Sequence, residues 1–176
     1  AASDVYKRQI YIKYETRLKE NRLIDFDDML SYTYELFKER PDILALWQNK
    51  YKYILIDEFQ DINRLQYEII KMLAAPQNNL FIVGDDDQSI YRFRGSKPEI
   101  MLGFEKDYPD AKRILLDTNY RCGRYIVEAS LNLISHNRER FDKKIIAASK
   151  SKAPVTFADF ENRRDENIFL IRDIDK

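Results

Sequence analysis

Hydrophobic side chains recur at helical spacing in the first third of the chain and then give way to short apolar runs. One stripe extends from Ile10 to Leu18, a second covers residues 26–37, and a third begins at Pro41. Apolar residues three or four positions apart lie on one face of a helix, and proline is tolerated in a first helical turn. We therefore predict three amphipathic helices within residues 1–50.

From residue 51 onward the pattern changes to an alternation of strands and helices. Short runs rich in β-branched and aromatic residues are typical of buried strands. Strands that alternate with helices favour an α/β fold, in which a parallel sheet with right-handed crossovers is flanked by helices. The predicted strands cover 53–56, 80–83, 113–116 and 155–160, and the predicted helices cover about 63–74, 98–107 after a capping box at 96–99, 124–135, and 165 onward.

Side chains suited to phosphate or metal chemistry follow three of these strands. Asp57 and Glu58 come directly after the first strand, the acidic turn 84–88 follows the second, and the segment 119–121 follows the third. Open α/β sheets bind ligands at the carboxyl ends of their strands. Because neighbouring strand side chains point to opposite faces, one acid could face a metal ion and the other a water, as in nucleotide triphosphatases. Each segment alone is equally compatible with a solvated turn, but the three together favour a nucleotide site.

The segment 89–95 interleaves aromatic and arginine side chains, among them Tyr91, Phe93 and Arg94. Platforms for single-stranded nucleic acid have this composition, because bases stack on aromatic rings while arginine contacts the backbone. The alternative is that Tyr91 and Phe93, which share one face of an extended segment, belong to the core.

Composition narrows the class of protein. An apolar content of 44% over 176 residues is sufficient for a core, and equal numbers of basic and acidic residues, 30 each, give no net charge. A nucleic acid would therefore have to bind in a local groove. The single cysteine, Cys122, excludes an internal disulfide and fits a reducing compartment. No apolar run approaches a membrane span or a signal core, so we expect a cytoplasmic protein without membrane partners.

Three segments, DEFQD at 57–61, GDDDQSIYRFRG at 84–95 and NYRC at 119–122, together resemble consecutive motifs of the UvrD/Rep/PcrA family of superfamily 1 DNA helicases. The resemblance implies a RecA-like sheet of the P-loop NTPase type. Residues 1–117 would form the later part of the first motor domain, and residues 118–176 the beginning of the second. It further implies a helicase that uses ATP and Mg²⁺, moves 3′ to 5′ on single-stranded DNA and unwinds duplex DNA. It identifies no partner protein.

The resemblance also assigns roles by position. Asp57 is expected to bind Mg²⁺, and Glu58 to activate the attacking water as the catalytic base. Tyr91, Phe93 and Arg94 are expected to contact single-stranded DNA. The remaining roles concern the nucleotide: Gln60 would couple the site to neighbouring motifs, Gln88 would sense the γ-phosphate, Tyr120 would stack on adenine, and Arg121 would act as an arginine finger.

The chain contains no G-x-x-x-x-G-K-[ST] segment, so the resemblance implies a longer protein with its P-loop upstream. The chain by itself is then expected to be inactive. Three alternatives stay open. The motor part of an AddA/RecB-type helicase–nuclease shares these motifs, although 86–88 and Tyr120 fit the UvrD side better. A non-catalytic remnant would bind nucleic acid or a partner without hydrolysing ATP. A free-standing Mg²⁺ nuclease built on the aspartates has no further metal-binding motif to support it.

Overall fold

The computed structural model describes residues 2–90, 95, 97–151 and 153–174. The chain divides into two compact units, Ala1–Ala111 and Lys112–Lys176. Each unit combines helices with a small parallel sheet, which confirms the predicted mixed α/β class. Within the described ranges, no helix has both the length and the apolar character that a membrane crossing requires.

The first unit begins with three helices, as the hydrophobic stripes predict. The second of them starts with a capping box, in which Asp25 accepts from the backbone of Asp28 and the Asp28 side chain accepts from the backbone of Asp25. Such reciprocal bonds satisfy N–H groups that a helix start leaves free. The described elements follow in the order α1 (Ala2–Asn21), α2 (Phe26–Glu39), α3 (Pro41–Lys50), β1 (Ile54–Ile56), α4 (Arg64–Ala74), β2 (Leu80–Ile82), α5 (Pro98–Leu102) and α6 (Phe104–Asp107), with 3₁₀ turns at Phe59–Asp61 and Asp86–Gln88.

Strands β1 and β2 pair in parallel, with Ile54 opposite Leu80 and Ile56 opposite Ile82. Helix α4 lies between them in the sequence, so β1, α4 and β2 form a βαβ unit. The prediction of buried strands is right for one face only. The paired residues Leu55 and Phe81 point to the other face, where they are 69% and 57% exposed.

The core of the first unit centres on Phe59, Ile62 and Tyr67. Residues from β1, β2, α4, α5 and α6 contribute to this core. Because Phe59 and Ile62 belong to the segment that follows β1, this segment is anchored in the core. The partly buried side chains that pack against these three residues are Ile56, Ile70, Ile82, Ile100, Met101, Phe104 and Tyr108.

The predicted helix 98–107 is interrupted. Gly103 has φ −91° and ψ 0°, which ends α5 and starts α6. A Cβ at Gly103 would lie 2.9 Å from the carbonyl oxygen of Glu99, so the break is built around a glycine. The predicted capping box is wrong in its position, because the N-cap of α5 is Lys97 and its side chain makes no capping bond. Ser96 lies outside the described residues.

The second unit contains another βαβ unit. Its described elements are β3 (Thr118–Gly123), α7 (Arg124–Ile134), β4 (Ile146–Ser149) and α8 (Arg163–Ile174). Strands β3 and β4 pair in parallel, with Thr118 opposite Ile146 and Asn119 opposite Ala147. Helices α7 and α8 lie where the sequence predicts them.

The two strands predicted within the bounds of this unit are wrong. Residues 113–116 and 155–160 form no strand, whereas β4 was not predicted. A strand is stable only where a neighbour satisfies its backbone groups. β3 finds that neighbour in the short segment Ile146–Ser149, despite its two alanines.

The prediction that residues 53–56, 80–83 and 113–116 share one parallel sheet is therefore wrong, because the described residues form two separate two-stranded sheets. The division into motor domains at residue 117 stays a prediction, since compactness alone does not identify a motor domain.

Candidate functional site

The carboxyl ends of β1 and β2 lie side by side, as the sequence predicts for these two strands. Ile56 and Ile82 are register partners, and the Val83 N–H donates to the Ile56 carbonyl at 2.8 Å. The Phe59 N–H in turn donates to the Val83 carbonyl at 2.9 Å. Consequently, the segment that starts at Asp57 runs next to the segment that starts at Gly84.

The chain turns sharply between the two predicted catalytic acids. Glu58 has φ 50° and ψ 41°, a left-handed conformation that is unfavourable for a residue with a side chain. Its N–H donates to Asp57 Oδ1 at 2.9 Å. Both acids lie beyond the end of β1, so strand alternation does not orient them and that part of the prediction is wrong. The turn orients them instead, and both side chains are exposed.

Gln60 is the buried polar centre of this edge, with 2% of its surface exposed. Its side-chain Nε2 donates to Glu58 Oε2 at 2.7 Å, and its Oε1 accepts from the Asp85 N–H at 3.0 Å. We call this arrangement of Glu58, Gln60 and Asp85 the Gln60 junction. It connects the carboxylate after β1 to the backbone after β2, through one side chain whose amide is satisfied at both ends.

Phe59 anchors the left-handed turn in the core. It is 1% exposed and makes edge-to-face ring contacts with Tyr67 and Phe104, at centroid distances of 5.9 and 5.7 Å. Aromatic pairs in this geometry add stability beyond the area that they bury. Buried anchors of this kind allow a strained residue such as Glu58 to persist, and strain of this kind clusters at functional sites.

The segment after β2 is organised by Asp85. Its carboxylate accepts from the Asp87 N–H at 3.2 Å and from the Gln88 side-chain amide at 2.9 Å. Gln88 is exposed, so its amide is held at the surface by Asp85. Asp85 therefore contacts both Gln60, through its backbone, and Gln88, through its side chain.

The residues at this edge fit Mg²⁺ and phosphate chemistry in part. Asp57 Oδ1 accepts from the Glu58 N–H, which leaves Oδ2 as a hard oxygen ligand of the type Mg²⁺ takes from proteins. Side-chain oxygens of Asp85, Asp86 and Asp87 lie within 4.8 Å of one another, a grouping that could also hold a cation. A glycine-rich phosphate cradle is absent from the sequence.

Three site residues were not identified as such from the sequence. Gly84 and Asp85 were seen only as parts of an acidic turn. Asp61, the last acid of the DEFQD segment, has a buried Oδ1 without a hydrogen-bond partner among the described residues. The glycine in a strand-end turn was the available signal for Gly84, since glycine marks places where backbone or side chains approach closely.

A cleft of about 670 Å³ in the first unit lies apart from the predicted nucleotide residues. Its lining includes Arg64 and Lys71, which both pair with Glu68, and Tyr67, whose hydroxyl donates to Asp107 at 2.8 Å. Glu68 thus compensates two of the cations that line this cleft.

Tyr120 and Arg121 lie in the second unit, on β3 itself. Sequence analysis placed them after a strand, and this is wrong. Asn119 Oδ1 accepts from the N–H groups of Arg121 and Cys122 at 2.9 and 2.8 Å, which fixes the backbone here. The Tyr120 side chain is 82% exposed, and Arg121 is exposed as well. The three predicted DNA contacts, Tyr91, Phe93 and Arg94, lie outside the described residues.

Comparisons with known proteins place the chain in a family. The family model described as the UvrD/REP helicase N-terminal domain matches residues 2–109. The "Putative ATP-dependent DNA helicase YjcD" of Bacillus subtilis is 47% identical over 175 residues, which are 97% of this chain and 23% of that protein. The ATP-dependent DNA helicases PcrA of Staphylococcus aureus and Leuconostoc citreum are 41% and 39% identical over 95% and 94% of the chain.

The chain spans less than a quarter of the length of these curated relatives, 22–23% in each case. The matched family model includes both strand ends and the whole Gln60 junction. On this evidence, the chain belongs to the UvrD/REP helicase family.

Proposed function

We propose that this chain forms part of the ATP-hydrolysing motor of a DNA helicase that moves 3′ to 5′ on single-stranded DNA and unwinds duplex DNA. The observation that carries the proposal is the Gln60 junction. It connects the Glu58 carboxylate at one strand end to Asp85 at the next, and Asp85 in turn holds the γ-phosphate sensor candidate Gln88. The relatives of this chain are named ATP-dependent DNA helicases. In this proposal the first unit belongs to a RecA-like domain of the P-loop NTPase type.

Glu58 acts as the general base. It accepts a proton from the attacking water while that water's oxygen bonds to the γ-phosphorus, and the bond from the γ-phosphorus to the bridging oxygen breaks, which releases ADP. Gln60 supports this role, because an amide that donates to one carboxylate oxygen at 2.7 Å fixes the direction of the other. A bound Mg²⁺ would neutralise charge on the phosphates, and Asp57 would hold it.

Gln88 is proposed to contact the γ-phosphate and the water. Asp85 accepts one of its amide hydrogens, so the Gln88 carbonyl oxygen remains directed away from Asp85. An uncharged amide can donate to a phosphate oxygen and accept from a water at the same time, which supports this role.

The second unit would contribute Tyr120 as a stacking surface for adenine and Arg121 as an arginine finger. The exposure of both side chains supports these roles, because each must reach a ligand. Tyr91, Phe93 and Arg94 would contact single-stranded DNA, which their composition supports.

The test compares Glu58→Gln with Asp57→Asn in a full-length protein that carries this chain. Glu58→Gln should bind nucleotide normally and lose about 10²–10⁴-fold in kcat, because the amide cannot accept a proton. Asp57→Asn should weaken Mg²⁺-dependent nucleotide binding. Nucleotide affinity and DNA-stimulated phosphate release measure both effects.

Glu20→Gln serves as the control, since it removes an exposed carboxylate from α1 and should leave both measurements unchanged. Normal turnover by Glu58→Gln would show that Glu58 is not the base. Binding of DNA by the parent protein without any ATP turnover would favour a non-catalytic binding role.

A further inference from the structure

Gly84 lies so close to Gln60 that a side chain at position 84 would not fit beside it. A Cβ added to Gly84 would lie 2.6 Å from Gln60 Oε1. It would also lie 3.1 Å from the backbone nitrogen of Phe59 and 3.2 Å from that of Gln60. Contacts below 3.0 Å between such atoms force a displacement, so any side chain at position 84 competes with the Gln60 carboxamide for the same space.

Backbone conformation does not explain this glycine. Gly95 has φ +85°, in the left-handed region that favours glycine, whereas Gly84 lies outside that region. An alanine could therefore adopt the backbone angles of position 84 without strain. The requirement at Gly84 is for space alone.

Gln60 cannot make room without losing its hydrogen bonds. Its side chain is almost fully buried, and its two polar atoms bond to Glu58 Oε2 and to the Asp85 N–H. A rotation that moves Oε1 away from an added Cβ removes the acceptor from Asp85 and shifts the donor from Glu58. A buried amide left without partners is costly, so the displacement is not absorbed locally.

We propose that Gly84 is a positioning residue: it provides the space in which the Gln60 carboxamide holds the Glu58 carboxylate for water activation. The inference rests on the proposed function for its catalytic consequence. Its steric part, that Gly84 determines where the Gln60 amide lies, is independent of that function. Gly84 itself touches no substrate.

The steric part can be tested without an activity assay, in a full-length protein that carries this chain. Hydrogen exchange of the Asp85 amide, followed by NMR, reports its bond to Gln60 Oε1. Gly84→Ala should accelerate this exchange at least about tenfold, the effect expected from the loss of one buried hydrogen bond. Gly123→Ala is the matched control, because its added Cβ would meet no atom closer than 3.5 Å, and it should leave the Asp85 amide protected.

A double-mutant cycle separates positioning from general destabilisation. Gln60→Ala removes the side chain that an added Cβ would strike, so Gly84→Ala in that background should change kcat less than about twofold. In the otherwise unmodified full-length protein, Gly84→Ala alone should lower kcat about 10- to 100-fold and leave nucleotide affinity unchanged, because a charge-assisted bond to the base is lost. Gln60→Glu, which keeps the shape but cannot donate to Glu58, should show a similar loss.

Each result has a definite meaning. Unchanged protection of the Asp85 amide in Gly84→Ala, or losses that add in the double variant, would overturn the inference. A parallel fall in nucleotide affinity and melting temperature would mean that Gly84 serves the fold and not the base. A third result separates the two proposals. If the Asp85 amide exchanges faster in Gly84→Ala and the effects of Gly84→Ala and Gln60→Ala are not additive, the steric relation between Gly84 and Gln60 stands. If Glu58→Gln nevertheless hydrolyses ATP normally, the proposed function fails.

Discussion

The molecule contains two βαβ units of the same topology, and they hold their candidate functional residues in opposite ways. In β1–α4–β2, Glu58 is held by a buried glutamine and by the buried Phe59 next to it. In β3–α7–β4, Tyr120 and Arg121 lie on the strand and are exposed, and the Asn119 side chain accepts hydrogen bonds from the backbone nearby.

The difference follows from how many apolar side chains each unit buries. Among the described residues, six of the seven buried apolar side chains lie in the first unit, and Val127 lies in the second. Side chains packed against a core lose their freedom, whereas exposed ones keep it until a ligand arrives. The proposed base is therefore positioned before a ligand binds, whereas ligand binding would position the proposed finger and stacking residue.

The strongest test of this contrast is Arg121→Ala in a full-length protein that carries the chain. A finger acts on charge that develops in the transition state, so kcat should fall about 10³–10⁵-fold while nucleotide affinity changes little. Tyr120→Ala should do the reverse and raise KM, because stacking stabilises ground and transition states equally. Steady-state ATPase kinetics at saturating single-stranded DNA measures both.

Arg124→Ala is the matched control for that experiment. Arg124 is exposed and pairs with Glu128 one helical turn away, so its loss should leave kcat unchanged. A fall in kcat of less than about threefold in Arg121→Ala would be smaller than the loss of one hydrogen bond produces. Arg121 would then not be an arginine finger.

A stability comparison sharpens the difference in burial. Phe59→Ala should lower the free energy of unfolding by about 3–5 kcal/mol, because it leaves a cavity against Tyr67 and Phe104. Val127→Ala, in the second unit, should cost only about 1–3 kcal/mol. Denaturant unfolding measures both. Phe157→Ala removes a ring that is 91% exposed and should change stability by less than about 0.5 kcal/mol. Equal losses at positions 59 and 127 would contradict the comparison.

The stability of the first unit should depend on pH through Tyr67, a residue of its core. Burial, followed by the hydrogen bond to Asp107, raises the pKa of Tyr67 far above its usual value of 10.0. The neutral phenol is therefore favoured in the folded state, and its contribution is present below about pH 10 and is lost as the pH rises further.

Tyr67→Phe should accordingly lower the free energy of unfolding by about 1 kcal/mol at pH 7, because the hydrogen bond to Asp107 is lost. The variant should also lose less stability than the parent as the pH rises above about 10. Chemical denaturation at pH 7 and at about pH 10.5 measures both effects. The exposed Tyr120→Phe is the control and should change neither. An unaltered alkaline transition in Tyr67→Phe would assign that transition to other groups, with Tyr108 first among them because burial also raises its pKa.

The smallest expected effect concerns the start of α2, where the two capping bonds are only partly buried. Hydrogen bonds from the Asp28 backbone and the Tyr14 hydroxyl lower the pKa of Asp25. The ionised cap therefore stabilises the fold above about pH 4 and loses this effect as the pH falls through the lowered pKa. Asp25→Ala should lower the melting temperature slightly at pH 7 and not at about pH 2. A deficit that persists unchanged at low pH would indicate a role other than capping by the charged group.

The elements that the sequence predicts well are those specified by local interactions. α2, α4 and α7 have apolar stripes, and α2 and α4 also have capping residues, Asp25 and Asn63, so their existence depends on neighbours within a few residues. Strands β1 and β2 were identified from short apolar runs between turn signals. Residues 113–116 show the same signals but form no strand, because a strand also needs a pairing partner that no local pattern specifies.

The mixed α/β class, the membership in a helicase family and the residue types at two strand ends could all be predicted from the sequence. Three features could be known only from the fold: the left-handed conformation of Glu58, the burial of Gln60 between Glu58 and Asp85, and the lack of space for a Cβ at position 84. The reason is physical. Helical stripes, caps and short motifs depend on residues that are close together in the sequence. Gln60 and Asp85, by contrast, are 25 positions apart and meet because β1 and β2 pair in parallel.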